Sequence, residues 1–240
     1  MPHETLNVLQ VAGYLHLSVD EVVKLASRGH LPARKVKGVF QFTKSDIDHY
    51  VESRMHDLPH QRLEEIELGV SRHHGFDAKL FRLAEMIPPR GISVDLPART
   101  RDSAIRCLVD LADAAELVYD HAAVVDEIRR REELCSTAML PQVALPHPRH
   151  PLPYDIAESF VVVGRTAGGI PFGAPDGTLT RLFFLICCKD DRTHLHVLAR
   201  ISRMLDQATI AELLSTEDAA AARKALGRRE SAVVERAADV

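Results

Sequence analysis

His147 stands in the loop Val143–Arg149 (VALPHPR), with Pro146 before it and Pro148 after it. Proline fixes its own φ and keeps the residue before it out of the helical region. The imidazole is therefore carried on an extended or turned backbone with little freedom to lose. A neutral imidazole is a competent nucleophile near neutral pH. Just upstream, the run RREELCSTAML supplies Arg131 and the hydroxyls of Ser136 and Thr137, and Arg149 adds a second cation on the far side of the loop. Downstream, an apolar run ends in Thr193-His194-Leu195-His196, where His194 is read as opening a helix. A phosphorylated imidazole carries a dianion and needs donors around it. His147, His194 and Arg131 are the candidate catalytic groups, and Ser136, Thr137 and Arg149 the candidate phosphate donors. Three other readings stand beside this one. His147 is a plain surface-loop residue in the first. In the second, His147, His150, His194 and His196 bind zinc with Cys187 or Cys188, although no spacing requires it. In the third, Cys135 is a nucleophile, a role disfavoured by the acidic pair before it, which raises a thiol pKa.

The elements that must hold these groups read as an α/β domain over residues 92–226. Ile92–Leu96 is strand-like. Thr100 caps a helix with Ala104, Ile105, Leu108, Leu111 and Ala112 on its apolar face, and a second helix runs from about Ala122 to Glu133. Ser159–Val163 and Leu182–Cys187 are continuous apolar runs, the pattern of strands buried on both faces. Gly168–Gly177 between them is turn-rich. Helices are expected over His194–Leu205, Thr209–Leu214 and Asp218–Leu226. The charged, Ala-rich residues from Arg228 onward are expected to fray.

Residues 6–53 form a separate unit. Leu6–Leu15 has helical spacing, Ser18 is an N-cap for a helix over Val19–Ser27, and Gly29 stops that helix. Two short helices joined by a tight turn read as a helix-turn-helix. Leu31–Val36 and Val39–Phe42, separated by Lys37-Gly38, read as a β-hairpin with a basic tip. Thr43 or Ser45 caps a last helix, Asp46–Arg54. Residues 57–91 read as a helical connector ended by Pro88-Pro89-Arg90-Gly91; His56, just before it, and His60, His73 and His74 read as solvated, with a zinc site as the alternative.

Hydrophobic residues make up 46% of the 240, enough for packed cores in two domains. The net charge is −4, yet residues 1–56 carry seven Lys/Arg against six Asp/Glu, which leaves −5 for the rest. This balance argues against a chain that binds nucleic acid indiscriminately along its whole length. The four cysteines have no disulfide-framework spacing, and reduced thiols are expected. No apolar run approaches a membrane span and no signal peptide is evident, so a cytoplasmic location is expected, with no cofactor.

Two resemblances follow. The order helix-turn-helix, Arg28-Gly29-His30-Leu31-Pro32-Ala33, basic hairpin, then SDIDHYVESR resembles the excisionase and MerR-like winged helix-turn-helix family over about fifty residues. That family places its second helix in the major groove and its wing on the backbone. The resemblance puts Lys24 and Arg28 on the helix, and Arg34, Lys35 and Lys37 on the wing, where DNA contacts would be. Asp20 and Glu21 at the helix start would repel phosphates. They also suit the positive end of the helix dipole. Val39-Phe40 stand where that family has a more basic, tryptophan-containing centre.

The strings RREELCSTAMLPQVALPHPR, GIPFGAPDG and LFFLICCKDDRTHLHVLARISRML, in this order, resemble the enzyme IIA proteins of the phosphotransferase system, of the mannitol/fructose and nitrogen-regulatory type. The resemblance implies a mixed-sheet α/β sandwich. It implies His147 as acceptor of a phosphoryl group from an HPr-like histidine phosphocarrier, His194 as the second active-site histidine, and Arg131 as the active-site arginine. His196 should face elsewhere. The chain departs from the family at Cys135, Ala138 and Leu140, where glycine is frequent. It departs again at Pro148, where a glycine would have offered a backbone N–H.

The expectation is a two-module regulator: residues 1–56 a winged helix-turn-helix, 57–91 a connector, and 92–240 the IIA-like domain. Phosphorylation of His147 would be coupled to DNA binding. Its partners would be the HPr-like carrier and DNA, with no membrane. Readers of palindromic DNA commonly act as two copies, so a homodimer is expected. The alternative is a transcription regulator whose IIA domain no longer turns over and serves as a sensing or dimerisation surface.

Overall fold

The structure, a computed structural model, describes residues 5–15, 17–44, 46–47, 50–51, 63–64, 67, 81–138 and 140–236. The chain divides into two compact units, 1–80 and 81–240. The histidines at 56, 60, 73 and 74 and most of the expected connector lie outside the described residues.

In the N-terminal unit, β1 (Thr5–Asn7), α1 (Val8–Leu15), α2 (Val19–Ser27), β2 (Arg34–Val36) and β3 (Val39–Thr43) follow in order, and the sheet runs β1-β3-β2, antiparallel throughout. Residues 44, 46, 47, 50 and 51 are helical; the last four fall within the expected helix Asp46–Arg54, Lys44 lies ahead of its expected start, and Ser45 lies outside the described residues. Leu6 does not open a helix as expected. It pairs with Phe42 in β1, and the helix starts two residues later. Asn7 fixes that boundary, because its Oδ1 accepts the Gln10 N–H at 2.9 Å while Gln10 Oε1 accepts the Asn7 N–H at 2.9 Å. Ser18 caps α2 in a reciprocal capping box with Glu21. The hairpin turns on Lys37 and Gly38, with φ of 51° and 84°. Two successive positive φ angles make the type I′ turn that matches strand twist, and glycine at the second position removes the Cβ cost. Leu6, Val11, Tyr14, Leu15, Val22, Leu31, Phe42 and Ile47 are buried.

The C-terminal unit has a 3₁₀ turn (Leu83–Met86), β4 (Ile92–Ser93), α3 (Arg101–Asp113), α4 (His121–Leu134), β5 (Val143–Ala144), β6 (Phe160–Ile170), β7 (Thr180–Cys187), α5 (Asp191–Met204), α6 (Gln207–Ser215) and α7 (Ala219–Arg236). The sheet order is β4-β6-β7-β5. β6 and β7 are antiparallel, and each outer strand runs parallel to its neighbour. This is the expected mixed sheet, although β4 covers only the first two of the five strand-like residues.

Alternation along β6 and β7 sets the layers. Phe160, Val162, Phe183, Leu185 and Cys187 join one core with Ile105, Leu108 and Val109 of α3 and Val124, Val125 and Ile128 of α4. Val161, Val163, Phe184 and Ile186 are buried on the opposite face, the side of α5 and α6. Both strands are thus covered on both sides, as their unbroken apolar runs require. Gly164 lets α3 lie close, since a Cβ there would sit 2.9 Å from Leu108 and from Leu96. Thr100 caps α3 as expected.

Two helix boundaries correct the sequence reading. α5 begins at Asp191, so His194 sits in its first turn and does not open it. Asp190 is the cap: its carboxylate accepts the Thr193 N–H at 2.9 Å and the Thr193 hydroxyl at 2.8 Å. The last helix does not stop at Leu226 and fray. It continues to Arg236, with Glu230 and Val233 buried. Glu230 accepts the N–H of Leu83 at 2.5 Å, that of Ala84 at 3.0 Å, and Nη1 of the buried Arg200 at 3.0 Å. A carboxylate satisfied by three donors is held in place, and the helix with it.

Candidate active site

α4 ends at Leu134, the described residues 135–138 and 140–142 lie outside helices and named strands, and β5 brings the chain to the edge of the sheet against β7. Pairing of Val143 with Leu182 and of Ala144 with Phe183 fixes where the proline-flanked loop leaves the sheet, and Ile186 donates its N–H to the Pro146 carbonyl at 2.9 Å. His147 emerges there, only 3% exposed, beside the first turn of α5. The ring of His194 lies 4.9 Å from that of His147, centroid to centroid, at an interplanar angle of 55°.

The partners of the His147 ring determine its proton. Nδ1 lies 2.7 Å from the Leu145 carbonyl oxygen, which can only accept, so Nδ1 carries the hydrogen. Nε2 lies 3.1 Å from Nε of Arg131, which can only donate, so Nε2 presents its lone pair. The ring is the neutral Nδ1–H tautomer, and the nitrogen that carries the lone pair stands next to a guanidinium. Arg131 is itself fixed, because Nη1 donates to the Cys135 carbonyl at 3.0 Å and lies 3.4 Å from Cys135 Sγ.

Among the expected phosphate donors, the Thr137 hydroxyl donates to Glu132 Oε2 at 2.7 Å, and the Ser136 hydroxyl donates to the Phe172 carbonyl at 3.0 Å while accepting the Ala138 N–H at 3.1 Å. Both hydroxyls organise the loop in this state. Arg149 is exposed just beyond the buried Pro148. His196 points away from the site, buried edge-on against Phe81 at 4.4 Å. His150 is exposed, and no group of three or more His, Cys, Asp or Glu among the described residues is arranged to hold a metal ion.

Glu132 was not expected from the sequence. It is 3% exposed, and burial raises its pKa, with the Thr137 hydrogen bonds and Arg131 opposing that rise. A carboxylate in the last turn of a helix reads as solvated. The only pointer to it was the hydroxyl pair in the loop that follows.

In the N-terminal unit, Lys24 on α2, Arg28 at its C-cap, Arg34 and Lys35 on β2, and Lys37 in the turn are all exposed. Lys35 Nζ lies 4.9 Å over the Phe40 ring, which stiffens the wing. The Glu21 carboxylate is spent on the cap, accepting the Ser18 N–H at 2.9 Å.

A family model described as "Phosphoenolpyruvate-dependent sugar phosphotransferase system, EIIA 2" matches residues 85–228, and one described as "Helix-turn-helix domain" matches residues 5–55. A "PTS system fructose-specific EIIA component" from Haloferax volcanii is 30% identical over 55% of this chain and 85% of its own length. A "Nitrogen regulatory protein" from Bradyrhizobium diazoefficiens is 33% identical over 58% of this chain and 90% of its own. The crystal structure of nitrogen regulatory protein IIA-Ntr from Neisseria meningitidis superposes with a TM-score of 0.54 at 25% identity, covering 60% of this chain and 97% of that one. No helix among the described residues is long and apolar enough to cross a membrane.

Proposed function

The chain belongs to the EIIA 2 family of the phosphoenolpyruvate-dependent sugar phosphotransferase system, joined to a helix-turn-helix domain, and on that footing we propose that His147 accepts a phosphoryl group from an HPr-like histidine phosphocarrier and that its phosphorylation state regulates DNA binding by the N-terminal unit. The observation that carries the first half is the ring of His147, clamped between the Leu145 carbonyl at Nδ1 and Arg131 at Nε2.

The Nε2 lone pair attacks phosphorus on the carrier's phosphohistidine. A P–N bond forms here, the carrier's P–N bond breaks, and its electron pair returns to the carrier's ring nitrogen. No proton needs to move. The His147 ring becomes cationic, and the Leu145 carbonyl, already accepting Nδ1–H, stabilises that charge. Arg131 turns from the nitrogen to the phosphoryl oxygens, with His194 as a second donor.

The helix-turn-helix unit and the likeness to nitrogen regulatory proteins favour control of transcription over a dedicated sugar-uptake role. The exposed cations Lys24, Arg28, Arg34, Lys35 and Lys37 would contact phosphates and groove edges. A phosphate adds about two negative charges, enough to alter a partner surface. A second reading, a regulator whose IIA unit does not turn over, is favoured by Pro148, which offers no N–H to a phosphoryl oxygen.

The test is incubation with a phosphorylated HPr-type carrier followed by intact mass. One acid-labile phosphate on the wild type, absent from His147→Ala and reduced in His194→Ala, is the expected result. No gain on the wild type sinks the phosphocarrier reading in favour of the second.

A further inference from the structure

We infer that Glu132 is a positioning residue that sets the tautomer and orientation of the His147 ring through a relay of hydrogen bonds. The inference rests on His147 as the phosphoryl acceptor proposed above. Glu132 follows Arg131 on the last turn of α4, and the two side chains grip the same loop at different points. Arg131 holds the Cys135 carbonyl at 3.0 Å. Glu132 takes both donors of Thr137, the N–H on Oε1 at 2.9 Å and the hydroxyl on Oε2 at 2.7 Å. The Thr137 carbonyl then accepts the Leu145 N–H at 3.2 Å, and the Leu145 carbonyl accepts Nδ1–H of His147 at 2.7 Å. The two neighbours on one helical turn therefore reach opposite nitrogens of one imidazole, Arg131 directly and Glu132 through Thr137 and Leu145.

Burying a carboxylate in this place costs desolvation, and an apolar side chain would fill the space without that cost. What the carboxylate adds is two acceptors on one residue, which leave Thr137 a single orientation. With that orientation fixed, the Leu145 carbonyl has one direction in which to point, and Nε2 remains the nitrogen that carries the lone pair facing Arg131. Without Glu132 the Thr137 end of the relay loosens, the hold on the Leu145 carbonyl weakens, and the preference for Nδ1–H set from that side falls, leaving Arg131 at Nε2 to oppose the other tautomer. The Nε2–H form has no lone pair to offer at the guanidinium side.

The experiment uses the full chain with ¹⁵N-labelled histidine. Nitrogen shifts of His147 are compared in wild type, Glu132→Ala, Glu132→Gln and Thr137→Val, each first checked for cooperative unfolding. Wild type should show the Nδ1–H form alone. Glu132→Ala should show a mixture, with a phosphoryl-transfer kcat lower by about 10–100-fold and an unchanged KM for the carrier. Glu132→Gln should restore the wild-type signature, since its amide oxygen accepts the Thr137 N–H and its amide nitrogen donates to the Thr137 hydroxyl. Should Glu132→Ala fail to fold, Thr137→Val tests the same relay with one link removed. A folded Glu132→Ala or Thr137→Val with wild-type nitrogen shifts overturns the inference. The shifts are read without any carrier, so a wild type that accepts no phosphate would count against the phosphocarrier reading while the tautomer still decides the role of Glu132.

Discussion

Nε of Arg131 donates to Nε2 of His147 across 3.1 Å, and both side chains are more than nine-tenths buried. A guanidinium placed on the lone pair of the proposed acceptor nitrogen stands where phosphoryl oxygens would arrive. Arg131→Lys keeps the charge but loses the fork that also grips Cys135. Single-turnover phosphoryl transfer to Arg131→Lys should fall by about 100-fold, the usual cost of one oxyanion donor. A rate within threefold of wild type, roughly 0.65 kcal/mol, would show that the contact is incidental.

Glu132 gives a pH signature of its own. Desolvation raises its pKa above the ordinary 4.5 and outweighs the Thr137 hydrogen bonds that lower it. The folded chain therefore holds this proton more tightly than the unfolded chain. Its contribution to stability is full below the unfolded value and is lost as pH rises through the raised folded value. Glu132→Gln cannot titrate. The unfolding free energy of wild type minus that of Glu132→Gln should increase as pH falls from neutral toward 4.5. Denaturant melts across that range check it, and a flat difference would contradict it.

The four thiols should separate by reactivity. Cys135 is exposed in the active-site loop, Cys107 is half-buried, and Cys187 and Cys188 are buried. Burial pushes the Cys187 and Cys188 thiols far up, and Cys107 is raised by burial and then by Asp110. Timed alkylation with mass detection should label Cys135 first and Cys107 slowly, and the adjacent pair only after unfolding. The Cys135 adduct should also slow phosphate uptake, because Arg131 leans on that residue.

Glu230→Ala should destabilise the C-terminal unit by about 3–5 kcal/mol, since it breaks a buried ion pair with Arg200 and removes the acceptor of the Leu83 and Ala84 N–H groups. Denaturant unfolding measures this, and a loss under 1 kcal/mol would mean that the pair is replaceable at little cost.

For the N-terminal unit, DNA affinity should fall linearly in log–log form as salt rises. Lys24→Ala and Arg28→Ala should each reduce the slope by about one if each meets a phosphate. A slope near zero for the wild type would remove DNA as the partner.

Features with a local cause were readable in the sequence. Ser18 and Thr100 each stand just before an apolar periodic run and cap it as expected. Lys37-Gly38 makes the hairpin turn. The unbroken apolar strings of β6 and β7 mark strands covered on both sides. The proline-flanked His147 and distant His194 came together as their spacing within the IIA pattern implied. What was missed depends on partners far away in sequence. Leu6 fits a strand or a helix equally, and only pairing with Phe42 decides. Asp190 is hidden as a cap because the apolar run reaches Cys187 and His194 reads as the helix start. Glu132 and Glu230 each sit in charged stretches that read as solvated. Their burial is set by Thr137 and by Arg200 with the 3₁₀ turn, and no local pattern encodes that.

The bond from the Leu83 N–H to Glu230 spans 147 residues. It ties the first turn of the C-terminal unit to its last helix. During synthesis the N–H groups of Leu83 and Ala84 emerge from the ribosome well before the carboxylate that satisfies them. The sheet can assemble earlier from β4 to β7, but the seam closes only once α7 has been made. The helix-turn-helix unit, by contrast, draws its described pairings from residues 5–43 and can be complete while most of the chain is still untranslated. One polypeptide thus matures in two stages, with its helix-turn-helix unit finished first and the unit that carries His147 last.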